Sequence, residues 1–112
     1  METKTLNLNY FGTNYPVSFR INHYANNENL YVGLMDHSEE FPEPWCDLTV
    51  NLDVKLEPDC AFIDINNNPY AMEWLIENEI GSFTGKWRQS GFCRYPEFRF
   101  KEEKLKEYGS EF

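Results

Sequence analysis

Three groupings in this sequence have the residue types that chemistry needs. Asp64-Ile65-Asn66-Asn67-Asn68 sets side-chain oxygens at alternate positions, as the opening of a calcium loop does. Such a loop also needs glycine at its sixth position and a bidentate glutamate at its twelfth. Pro69 and Leu75 stand there, so the stretch reads as a polar turn leading into a helix. Gly81-Ser82-Phe83-Thr84-Gly85-Lys86 resembles a phosphate-binding loop but is one residue short, and Trp87 stands where a hydroxyl must hold Mg²⁺. It reads as a strand containing glycines. His37 lies among Asp36, Glu39 and Glu40, but these ligand types have no rigid element to space them for a metal. His23 falls on the apolar face of a strand pattern and is expected to be a satisfied core residue. There is no nucleophile elbow, no zinc-type cysteine pair and no dinucleotide fingerprint. The expectation is a non-enzymatic protein with no cofactor and no metal.

Charge is the stronger signal. The formal net charge of −9 is unevenly placed: residues 25–81 carry thirteen acids against Lys55 alone, and both flanking segments are weakly basic. An acid-only stretch of that length repels itself. It is either simply solvated, offset by the basic C-terminal third, or used to hold something positive. If it binds, the residues that carry the binding are expected to be Asp36, Glu39, Glu40, Glu43, Asp47, Asp53, Glu57 and Asp59, with Glu73 and Glu77 next. A second surface interleaves cations with aromatic faces: Lys86, Trp87, Arg88, Arg94, Tyr95 and Arg99, with Phe92, Phe98 and Phe100 between them. Single-stranded nucleic-acid binders use that combination. The overall acidity opposes phosphate binding, and the alternation suits burial of Phe92, Phe98 and Phe100 or Trp87, so core packing beside a neutralising basic edge is the preferred reading.

The elements that must position these residues follow from periodicity. The chain has 112 residues, 41% hydrophobic and 17% aromatic, which suits one domain, spanning 1–112, around one core. Alternation predicts strands over 4–11, 15–24 and 29–35, joined by turns into a meander. The loop 36–44 is the most acidic segment. The clearest strand is 46–55, where Cys46, Leu48, Val50, Leu52 and Val54 alternate with polar residues. Cys60–Ile65 is apolar on both faces and suits a central or helix-covered strand. Asn68 before Pro69 predicts a capped helix over about 69–79 that stops near Gly81. Two further strands, turning at Gln89-Ser90-Gly91, lead to a short C-terminal helix. The fold class is α+β: one antiparallel sheet of about six or seven strands, one main helix and the short terminal one. Cys46, Cys60 and Cys93 are expected to be reduced, core or half-buried thiols, and no run is apolar enough for a membrane helix. The opening residues lack a secretory pattern, so a cytoplasmic protein is expected.

Four blocks are similar to a known family: Pro44-Trp45; Asp47-Leu48-Thr49-Val50-Asn51-Leu52; Ala61-Phe62-Ile63-Asp64-Ile65-Asn66-Asn67; and Gly91-Phe92-Cys93-Arg94-Tyr95-Pro96. Over about residues 30–100 the chain resembles a small uncharacterised domain family carried on bacterial conjugative elements and phages. The resemblance implies a mobile-element accessory protein in a bacterial cytoplasm; it transfers no activity and no functional residue. The expected function is therefore an interaction protein whose acidic surface docks on a basic partner, such as a nucleic-acid-binding host factor or defence nuclease, its carboxylates imitating phosphates. The alternatives are an accessory domain with a merely solvated acidic face, and a single-stranded nucleic-acid binder acting through the basic-aromatic hairpin.

Overall fold

The computed structural model describes residues 4–110. The expected meander forms: β1 (Leu6–Tyr10), β2 (Thr13–His23) and β3 (Leu30–Asp36) pair antiparallel in order, and β4 (Glu43–Asp47) adds to the far edge of β3. The β1–β2 loop is two residues long, Phe11 and Gly12, both with positive φ (51° and 82°). That is the hairpin geometry whose twist matches the flanking strands, and glycine meets it without strain. Phenylalanine does not.

The sheet expected to continue through 46–55 instead ends, and a second begins. β5 (Thr49–Val50) is only two residues long and pairs with β6 (Cys60–Ile63), which pairs with β8 (Cys93–Phe100), which pairs with β7 (Gly81–Ser90). Two sheets therefore replace the single sheet of six or seven strands. The reason lies at Leu48. Its N–H donates to the Val32 carbonyl at 3.0 Å, in the first sheet, and its carbonyl accepts from Asp64 N–H at 2.8 Å, in the second. One buried residue turns the chain between layers. The alternation that suggested a continuous strand thus serves different surroundings: Leu48 is core, while Leu52 and Val54 belong to an irregular strap over 51–59. Thr49, predicted to face solvent, is buried, its Oγ1 accepting from Val32 N–H at 3.2 Å.

The strap is tied down by a nearly buried asparagine. Asn29, 4% exposed, donates from Nδ2 to the Val54 carbonyl at 2.7 Å and accepts at Oδ1 from Leu56 N–H at 3.0 Å.

The predicted helix is shorter than expected. α1 spans Ala71–Glu77, and Ala71, Trp74 and Leu75 form its buried stripe. Asn68 does not cap it: its side chain donates to the Asp47 carbonyl at 2.8 Å, and the chain makes a tight turn before Tyr70. Nor is Gly81 the stop. Glu79 takes the left-handed conformation (φ 57°), while Glu79 N–H donates to the Ile76 carbonyl and Ile80 N–H to the Leu75 carbonyl, each at 3.0 Å. This is a Schellman ending with glutamate where glycine is usual. Gly81 is needed for space instead, because a Cβ there would strike the Arg99 carbonyl and the Phe98 ring.

α2 (Glu102–Glu107) is nearly as long as α1 and carries a Lys106–Glu102 ion pair at 3.1 Å. It returns the chain to β9 (Gly109–Ser110), which lies parallel to β2 at Phe19–Arg20, on the edge where β1 has ended. The core cluster draws Val17, Phe19, Val32 and Leu34 from the first sheet, Ile63, Phe98 and Phe100 from the second, and Trp74, Leu75 and Leu105 from the helices. No helix among the described residues is long and apolar enough to cross a membrane.

Candidate functional site

The strand registers sort the candidate acids into separate places. Val17 pairs with Asp36, and Asp36 with Glu43, so the β1–β2 tip and the 37–42 loop emerge from the same end of the first sheet. That end carries Asp36, Glu39, Glu40 and Glu43. Asp36 is partly consumed by the turn, accepting from Ser38 N–H at 2.9 Å. Glu39, Glu40 and Glu43 are exposed and make no ion pair with a described residue. His37, once a ligand candidate, is hydrogen-bonded through Nε2 to Ser18 Oγ at 2.7 Å.

Large apolar rings share this end. Phe11 is 90% exposed and Phe41 73%. Behind Phe11, Tyr10 meets Trp45 edge-on at 5.6 Å and Tyr70 at 5.7 Å, and Trp45 Nε1 donates to the Tyr70 hydroxyl at 3.3 Å. Burial pushes the Tyr70 hydroxyl above its ordinary value, and it raises the Cys46 thiol beside it to about 11. These groups are neutral at physiological pH and form a fixed floor beside Glu43.

The remaining acids are elsewhere. Asp47, near the other end of β4, accepts from the Tyr31 hydroxyl at 2.5 Å; burial first, then this carboxylate, keeps the phenol protonated. Asp53 is exposed on the strap, and Glu73 and Glu77 on α1. Glu57 and Asp59 are not free: Arg99 donates to both Asp59 oxygens at 2.7 and 2.9 Å and lies 3.3 Å from Glu57. Burial tends to raise the Asp59 carboxyl, but the Arg99 contacts prevail and hold it below its ordinary value. Two residues of the expected acidic surface and one of the expected cationic surface thus neutralise one another.

The basic-aromatic hairpin also departs from expectation. Phe98 and Phe100 are buried, but Phe92 is 107% exposed at the tip and Trp87 is exposed on the arm, because every residue from Gly85 to Phe92 lies beyond the core. Arg94 stacks on the Trp87 ring at 4.9 Å, and Tyr95 is half-buried. Lys86, Arg88 and Arg94 make no ion pair with a described residue. Three residues, Thr84-Gly85-Lys86, oppose Glu97 alone, with Gly85 at φ 90°, so a bulge redirects Lys86. His23, predicted to be a core residue, is exposed at the end of β2, past the reach of the core.

The sequence pattern missed two features. It gave no sign that Phe11 and Phe41 share one end, which needs the register, nor that Glu97 would be buried on the face of β8 turned away from the core, 8% exposed.

Together these features define an α+β protein of two mostly antiparallel sheets, with an acidic, aromatic end on one sheet and a cationic arm on the other. The chain belongs to the family described as a domain of unknown function (DUF4313), which it matches over residues 18–112. No curated protein and no solved structure matches it.

Proposed function

We propose that this protein is a non-enzymatic interaction module that docks a basic protein through the acidic, aromatic end of its first sheet. The supporting observation is the convergence there of exposed Phe11 and Phe41 with Glu39, Glu40 and Glu43, which make no ion pair with a described residue. Aromatic side chains dominate interface hot spots, and carboxylates around them steer and select a cationic partner. Phe11 is also bulky and left-handed (φ 51°), and such strain persists where a site has a use for it. Following the resemblance to domains of conjugative elements and phages, the partner is a nucleic-acid-binding protein of a bacterial host, approached in place of phosphate.

The test is competition against labelled duplex DNA for purified basic nucleic-acid-binding proteins. Binding should weaken steeply as salt rises, and by at least about tenfold in the Glu39→Gln/Glu40→Gln/Glu43→Gln variant. Phe11→Asn should weaken it too without lowering the melting temperature, because asparagine suits the turn. Affinity that ignores ionic strength, or survives the triple substitution, removes this reading.

A second reading has its own observation. The cations and exposed rings of the arm, Lys86, Trp87, Arg88, Phe92 and Arg94, fit single-stranded nucleic acid by stacking and charge. Phe92→Ser with Arg94→Ala should abolish low-salt oligonucleotide binding while leaving stability unchanged; absence of binding in the unaltered protein dismisses it.

A further inference from the structure

A groove of about 390 Å³ lies between the strap and the bulged part of the β7–β8 arm. Its size falls at the lower end of small-molecule sites, about 300–1,000 Å³. Phe62, 4% exposed, lines it, and Lys55, Lys86 and Arg88 supply cations; the Trp87 ring packs on the other face of the arm, against Phe83 at 5.6 Å and Arg94 at 4.9 Å. Glu97 lines it as well and is 8% exposed. Its carboxylate has no hydrogen bond or ion pair to any described residue, although its backbone carbonyl accepts from Thr84 Oγ1 at 3.3 Å. No fully occluded side-chain oxygen or nitrogen among the described residues lacks a partner, so the Glu97 oxygens keep some contact with solvent, which we place at the groove. The other carboxylate there, Glu57, is held by Arg99 at 3.3 Å.

A nearly buried carboxylate without a partner is costly unless something satisfies it. The surrounding cations disfavour a purely cationic ligand. What fits is a ligand that offers two coplanar hydrogen-bond donors to Glu97 and carries an anion outward. The N1–H and exocyclic amine of guanine form such a donor pair; adenine presents an acceptor at N1. We infer that this groove binds a guanine nucleotide, with the base edge on Glu97 and the phosphate on Lys86 and Arg88. This site is independent of the acidic end, and it shares Lys86 and Arg88, but not Phe92 or Arg94, with the single-strand reading.

Titration calorimetry of the full chain at low salt, with GMP, AMP, guanosine and a short guanosine-containing single strand, tests the inference. GMP or the strand should bind at least about tenfold more tightly than its adenine counterpart, the discrimination a good bidentate base contact provides. Glu97→Gln should erase that preference. Lys86→Ala with Arg88→Ala, both at exposed positions that leave the fold intact, should erase the advantage of GMP over guanosine. Binding of GMP identifies a free nucleotide as ligand, and binding of the strand alone identifies a nucleotide within a chain; either supports the site. Phe92→Ser with Arg94→Ala should leave GMP binding unchanged, which separates the groove from the arm. No binding of either ligand, equal binding of guanine and adenine forms, or an unaltered preference in Glu97→Gln overturns it.

Discussion

Replacing Asn29 by alanine removes two of the hydrogen bonds that tie the strap to the β2–β3 turn. The lost bonds are Nδ2 to the Val54 carbonyl at 2.7 Å and Leu56 N–H to Oδ1 at 3.0 Å. A typical hydrogen bond contributes about 0.5–1.5 kcal/mol net, and a buried partner left unsatisfied costs about 1–3 kcal/mol. Val54 and Leu56 are half-buried, so water reaches part of what is exposed. The expected loss is about 2–4 kcal/mol, or roughly 8–16 °C in melting temperature for a chain of this length. Urea unfolding followed by circular dichroism measures it. Limited trypsin digestion locates it, because Lys55, in the middle of the strap, is the only lysine or arginine between Arg20 and Lys86. Early cleavage after Lys55 in Asn29→Ala, at a protease level that leaves the unaltered protein whole, is the expected pattern. A loss below about 1 kcal/mol with Lys55 still protected would refute the reasoning and assign the strap's anchorage to Leu52 and to the bonds of Asn51 and Lys55 with Asn26 and Asn27.

Glu79→Gly should raise stability, by about 0.5–1 kcal/mol in chemical denaturation, since glycine takes the left-handed helix ending without a Cβ penalty; a loss would show that Glu79 has a contact of its own. Gly81→Ala should lower it by about 1–3 kcal/mol in the same assay, because backbone and the Phe98 ring occupy the space. The Asp59 carboxyl is depressed in the folded state, so its stabilisation is present above the unfolded value of about 4 and is lost as pH falls through the folded value. The stability gap between the unaltered protein and Asp59→Asn should therefore narrow on acidification below about pH 4, and a gap independent of pH would discount the Arg99 pair. Burial holds the Cys46 and Cys60 thiols up at about 11 and about 12, so alkylation at pH 8 with peptide mapping should label the half-buried Cys93 of the arm first.

What could be read from the sequence was local. Strand alternation around Leu6, Val17 and Val32 and the stripe Ala71, Trp74, Leu75 depend on a period that one face of one element imposes, and these held. The failures came where a residue had two uses. Asn68 has the chemistry of a helix cap but bonds a carbonyl from another element, and Leu48 keeps the strand period while its backbone changes sheets. Alternation reports that side chains point opposite ways; it does not report which layer receives them. The acidic block was visible as composition, yet its division depended on Arg99 lying beside Glu57 and Asp59, which are 42 and 40 residues away in the chain. Trp87 and Phe92 fit a buried pattern whose core ends before reaching them.

The backbone of Leu48, bonded on one side to Val32 and on the other to Asp64, bears on how the protein comes apart. An opening that frees either sheet must break a bond belonging to the other, so neither layer has a low-energy route to open alone. Amide protons of Leu48 and Asp64 should exchange with the slowest class, in step with those at the centres of β3 and β6. The two sheets would then form a single cooperative unit, with the exposed hairpin beyond Gly85 exchanging faster outside it.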